Sequence, residues 1–103
     1  MMEKEMDIIL TEIDNIVQRL LVPVRTEKKV DREAFDLFYN YLDDILVLIK
    51  GKEMIPRKIT GILFFIYTSL LGEIQNKDYR DPVLMEVAKL EEYLSKIYWD
   101  SPF

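Results

Sequence analysis

Residues 31–56 read DREAFDLFYNYLDDILVLIKGKEMIP, and this stretch holds a helix start, an amphipathic stripe, a stop and a restart. Asp31 is placed as an N-cap, its carboxylate accepting a free backbone amide, while Glu33 adds negative charge at the positive end of the helix dipole. Phe35, Phe38, Leu42, Ile45, Leu46 and Ile49 recur at helical spacing, so one face is apolar and the other carries the acids. Gly51 then supplies the residue type that enters left-handed conformation at a helix end. Pro56 follows at a position suited to the first turn of the next helix, where its missing amide proton costs nothing. The spacing thus predicts a helix over 32–50 and another starting at 56.

The same reasoning extends in both directions. Met6, Ile9, Leu10, Ile13, Ile16, Val17, Leu20 and Leu21 form a stripe on a helix over about 3–21, with Pro23 expected to stop it. After Pro56, Ile59, Ile62, Leu63, Ile66, Leu70 and Ile74 define a helix over 56–75. It is apolar nearly all round and expected to be the most buried, although its β-branched and aromatic content leaves a short buried strand as the local alternative. Asp81 before Pro82 pairs a cap with a preset first φ angle and opens a helix over 82–98 through Val83, Val87, Leu90, Leu94 and Ile97. The tail from Trp99 to Phe103 contains Pro102 and is expected to be non-helical. Four helices joined by short connections predict an all-α fold, an antiparallel up-down-up-down four-helix bundle in a single domain over residues 1–103. Its expected core comprises Leu10, Ile13, Val17, Phe38, Leu42, Ile45, Ile62, Leu63, Ile66, Leu70, Val87, Leu90 and Leu94.

Composition narrows the function. Half of the 103 residues are apolar, enough for one continuous core, and there is neither cysteine nor histidine. Thiolate catalysis, structural zinc and imidazole acid/base chemistry therefore lack their usual side chains. The acidic pairs Asp43–Asp44 and Glu91–Glu92 point about 100° apart on a helix and do not converge on one ion, so they read as solvated faces. Gly51, Gly61 and Gly72 make no phosphate-binding motif. No catalytic, cofactor-binding or metal-binding residue is assigned, and no enzymatic activity is expected. The uncharged run 59–72 is fourteen residues, short of the roughly 18 to 20 a membrane span needs. A net charge of −5 argues against nucleic acid as a partner. The start MMEKEMD lacks the basic and apolar regions of a signal peptide, which points to a cytoplasmic protein.

Two features stand out as candidate recognition elements. Lys50, Lys52, Arg57 and Lys58 surround the joint between the second and third helices against Glu53 alone, giving the molecule a basic end between acidic flanks. Such a loop suits peripheral contact with an anionic membrane face, although Lys50 and Lys52 also complement the negative C-terminus of the second helix. Tyr98, Trp99 and Phe103 place three large rings within six residues at the chain end. In an up-down-up-down order this end meets the basic joint, where Trp99 is expected to cover Ile55.

The stretch Lys52-Glu53-Met54-Ile55-Pro56, then Ile59, Ile62, Leu63, Phe65 and Tyr67, then the helix over 84–94 and a tail ending in Phe103, resembles the second half of the bacteriocin immunity proteins of the enterocin A and pediocin type. The resemblance covers about residues 30–103, and the first helix matches in pattern alone. It implies an antiparallel four-helix bundle and a non-enzymatic intracellular antidote that protects a producing bacterium from its own pore-forming peptide. It further implies action from the cytoplasmic side on the mannose phosphotransferase permease with bound bacteriocin, with the C-terminal half setting specificity. By position that assigns Tyr98, Trp99 and Phe103 to the recognition region. The alternative from the residues alone is a helical protein-interaction module, such as an antitoxin or regulatory adaptor.

Overall fold

A computed structural model describes residues 2–74 and 81–99 and contains four α helices, with no strand among the described residues. They are α1 (Met2–Glu27), α2 (Arg32–Ile49), α3 (Arg57–Leu71) and α4 (Pro82–Leu94), and a π-helical turn (Ser95–Trp99) continues α4. The caps behave as their chemistry requires. Asp31 accepts from the Ala34 amide at 3.1 Å, and Asp81 accepts from the Val83 amide at 2.9 Å with Pro82 as the first helical residue. The Ala34 amide, and after it the Arg19 guanidinium, holds the Asp31 carboxyl below the usual carboxylate range.

Helix α1 corrects the expected stop at Pro23, because it runs on to Glu27 with the proline inside it. A proline in a helix interior costs about 3 kcal/mol through a lost hydrogen bond and a clash. Here the extra turn buries Val24 beside Leu20 and Leu21, and burying such a side chain stabilises by about 1.5–3 kcal/mol. It also carries Arg25 and Lys28 to Glu73, with Lys28 Nζ at 2.8 Å from the carboxylate. The helix ends instead at Lys28, whose φ of 55° is left-handed, so that the Lys29 amide turns back to the Pro23 carbonyl at 3.2 Å. Gly51, with φ of 75°, plays the expected part after α2, and Lys52 N–H donates to the Ile49 carbonyl at 2.8 Å.

One core gathers the inward faces: Met6, Ile13 and Leu20 from α1, Phe35, Phe38, Leu42 and Ile45 from α2, Ile59, Leu63, Ile66 and Leu70 from α3, and Val87 and Leu90 from α4. Ile62 and Leu94, expected in this core, are half-buried at its edge. Helix α3 is not the most enclosed element: Phe64 is 60% exposed, and Phe65 and Leu71 also face out. Ile59, Leu63, Ile66 and Leu70, at helical spacing, already fill its inward stripe. The helix begins at Arg57, with Pro56 as the flanking cap residue, and ends at Leu71 rather than 75. The π turn modifies the expected end of α4. Its wider winding seats Ile97 in the core and leaves Trp99, expected to be non-helical, as its last residue and pointing to solvent.

Cross-helix polar pairs record how the helices lie. Arg19 meets Asp31 and Glu33, Tyr41 donates to Glu12, and Ile8 lies across a groove from Val47. Tyr67 donates to Glu91 and Tyr98 to Thr60, at 2.6 and 3.0 Å. Between α2 and α4, Arg32 and Tyr39 reach Glu86, and Tyr93 donates to Asp43 at 2.9 Å.

Candidate recognition surface

The basic joint resolves into two parts. Lys50 and Lys52, at the end of α2, line a recess of about 170 Å³ together with Leu46, Ile49, Lys96 and Ile97. Ile97 is carried there by the π turn, and its insertion against the end of α2 brings Lys96 to the same rim. Lys58 instead lines a separate hollow of about 340 Å³ with Asp7, Leu10, Thr11, Asp14 and Ile62, between α1 and α3. Arg57, at the first position of α3, is exposed. Among the described residues Lys50, Lys52, Arg57, Lys58 and Lys96 form no ion pair, although acids outnumber bases in the chain.

Lys96 is a site residue the sequence did not single out. It lies on α4's continuation, 44 positions from Lys52, and only the packing of Ile97 reveals the pairing. Its ammonium also sits 5.6 Å from the centre of the Tyr93 ring, an attractive cation–π distance.

The aromatic tail divides likewise. Tyr98 donates to Thr60 Oγ1 at 3.0 Å and so ties the end of α4 to the start of α3, with burial raising its phenol above the ordinary range. Trp99 is 77% exposed, and Ile55 is half-buried against the core. Met54, in the joint itself, is also exposed. Phe103 lies outside the described residues. The end of the molecule that holds the α2–α3 joint therefore combines unpaired ammonium groups with an exposed indole and thioether.

No protein-family model, curated protein or solved structure matches this chain. The chemistry must therefore be read from the residues themselves. No group of three or more Asp or Glu residues converges as a metal site among the described residues.

The most enclosed polar cluster lies elsewhere, and the sequence did not disclose it. Glu86, on α4, is 7% exposed and takes two bonds from Arg32, at 2.8 and 3.1 Å, and one from the Tyr39 hydroxyl at 2.6 Å. The hydrogen bonds that Arg32 donates to Glu86 raise the Arg32 pKa further, and burial followed by the bond donated to Glu86 pushes the Tyr39 phenol far above its ordinary range. Tyr39 also stacks on Tyr93, 5.5 Å between centroids and 5° between planes, with Lys89 Nζ 4.5 Å from the Tyr39 ring centre. Burial, then the bond to Asp43, lifts the Tyr93 phenol to about 12. The carboxylate is fully paired inside this cluster and has no open face toward a substrate. It clasps α2 to α4.

Proposed function

We propose that this chain is an immunity protein that protects a bacteriocin-producing bacterium, acting from the cytoplasmic side on the complex of the mannose phosphotransferase permease with its bound pore-forming peptide. In this reading the four helices form an antiparallel up-down-up-down bundle. The pairings support that order: moving forward along α1 means moving backward along α2, as Tyr41–Glu12 and Arg19–Asp31 do, and Tyr67–Glu91 with Tyr98–Thr60 repeat the reversal for α3 and α4.

The observation that carries the functional reading is the combination of the exposed Trp99 and Met54 with the Lys50, Lys52 and Lys96 recess. An exposed indole contributes nothing to the core, but its burial against a partner recovers about 1.5–3 kcal/mol, and aromatic anchors dominate recognition energies. The ammonium groups of the recess favour approach to the anionic inner face of a membrane, each contributing about 1 kcal/mol near such a surface. Among the described residues no helix is long and apolar enough to cross a membrane.

The test is a producer strain deleted for the gene and complemented with variants. Deletion should make the strain sensitive to its own peptide, and the parent chain should restore resistance. Trp99→Ala, and a variant with Lys50, Lys52, Arg57 and Lys58 all changed to Gln, should melt like the parent yet protect less. Unchanged resistance on deletion would end the immunity reading, and full protection by both variants would remove the basic, aromatic end from it.

A further inference from the structure

A second surface, on the face formed by α1 and α2, is independent of the basic end. The two helices leave a groove of about 360 Å³ lined by Glu5, Ile8, Ile9, Asp44, Val47 and Leu48. Ile9 is buried and forms the floor, Leu48 is half-buried, and Ile8 and Val47 stand on the two walls at 56% and 76% exposure. Its rim is acidic. Asp44 is exposed beside Val47, Glu5 stands on the opposite helix, and Glu12 follows one turn beyond Ile8. Of the acids of α2, Asp44 lines the groove, whereas Glu33 pairs with Arg19, Asp36 with Arg32, and Asp43 accepts from Tyr93. Two bases stand nearby: Lys4, on the far side of Ile8 with Asp7 and Glu12, and Lys50, three residues after Val47 at the end of α2.

We propose that this groove docks a cationic amphipathic helix supplied by a partner protein or peptide. The occupant must cover two projecting aliphatic side chains, which requires an apolar ridge, and must answer the acidic rim, which requires Lys or Arg on both flanks of that ridge. A helix with apolar residues at i, i+3 or i+4, and i+7 has that form. The lining runs over residues 5–9 of α1 and 44–48 of α2, about 6 Å at 1.5 Å per residue, so roughly one turn of such a helix seats in the groove. The alternatives meet the same rim unfavourably: anionic lipid is repelled by it, and a second copy of this chain sets two acidic rims against each other.

Purified full chain is titrated against a fluorescent Leu/Lys peptide of about 15 residues patterned at helical spacing, long enough to form a helix when bound. Controls are a scrambled peptide of the same composition, a Leu/Glu peptide with the same pattern, and vesicles rich in anionic lipid. Saturable one-to-one binding of the patterned Leu/Lys peptide is expected, with affinity about tenfold weaker for the scrambled one. Val47→Lys and Asp44→Lys should each weaken it by about tenfold, whereas Glu92→Lys, an equal charge change outside the groove, should alter it by no more than about twofold. All three positions are exposed, and circular dichroism checks that the variants fold. Trp99→Ala should bind the peptide like the parent, and no bacteriocin or permease is needed, so failure here is separable from failure of the immunity reading. Equal losses in Asp44→Lys and Glu92→Lys would reduce the effect to net charge and overturn the groove. So would equal binding of the scrambled or Leu/Glu peptide, vesicle binding lost in Val47→Lys, or a dimer in sedimentation that Val47→Lys dissociates.

Discussion

Replacing Arg32 with Met tests whether the clasp on Glu86 holds α2 against α4. An exposed ion pair contributes about 0–1 kcal/mol, whereas removing one partner of a buried pair costs about 3–5 kcal/mol because the other charge is left without compensation. This pair lies between those limits: the Glu86 side chain is 9% exposed and that of Arg32 is 54% exposed. After the substitution the carboxylate keeps its bond from the Tyr39 hydroxyl, which offsets part of the loss. The expected cost is therefore about 2–3 kcal/mol, which for a domain of this size lowers the melting temperature by roughly 10–20 °C. Adding Glu86→Leu removes the stranded charge, and the Tyr39 hydroxyl still reaches the backbone carbonyl of residue 86 at 3.3 Å. The double variant should thus regain at least about 1 kcal/mol over Arg32→Met alone. Asp36→Ala, which removes the exposed partner of Arg32 on the same helix, should cost no more than about 0.5 kcal/mol. Urea denaturation followed by circular dichroism of these three variants and of Glu86→Leu alone gives all four values. A cost below about 0.5 kcal/mol for Arg32→Met, or simple additivity in the double variant, would refute the clasp.

Pro23→Ala should raise stability by about 1–2 kcal/mol in the same melts, since it restores an amide donor inside α1, less the entropy a proline removes from the unfolded chain; a decrease would mean that the proline shapes the turn at Lys28. Leu63→Ala should cost about 2–5 kcal/mol, because the side chain is completely enclosed, while Phe64→Ala one position along should cost less than about 1 kcal/mol. Similar losses at both positions would mean that α3 is rotated about its axis. Stability should fall as pH rises above about 10, where unfolded tyrosines ionise, and keep falling through about 12. The sign follows from Tyr39 and Tyr93, whose folded pKa values are raised: above pH 10 the folded chain binds more protons than the unfolded one. Tyr93→Phe should shallow that alkaline slope in pH-dependent urea melts, and an unchanged slope would place the titration elsewhere.

Helix type, number and order were legible from residues close together in sequence. Asp31, Gly51, Asp81 and Pro82 act through their own backbone neighbours, and the stripes on α1, α2 and α4 report burial because helical spacing converts sequence interval directly into direction. Where the outcome depended on energies from distant segments, local rules were overruled. Pro23 sits inside a helix because Val24 finds a core and Lys28 finds Glu73, neither visible in the neighbourhood of residue 23. Phe64 and Phe65 face outward because the inward arc of α3 is already filled, a limit of space rather than of hydrophobicity. Lys50, Lys52 and Trp99 could be named in advance as chemically suited to recognition, yet only packing decided which of them share a recess, added Lys96 to it and detached Lys58. The Arg32–Glu86–Tyr39 cluster and the acidic groove at Val47 join residues on different helices, and side-chain type alone carries no information about which charged groups end up facing one another across a helix interface.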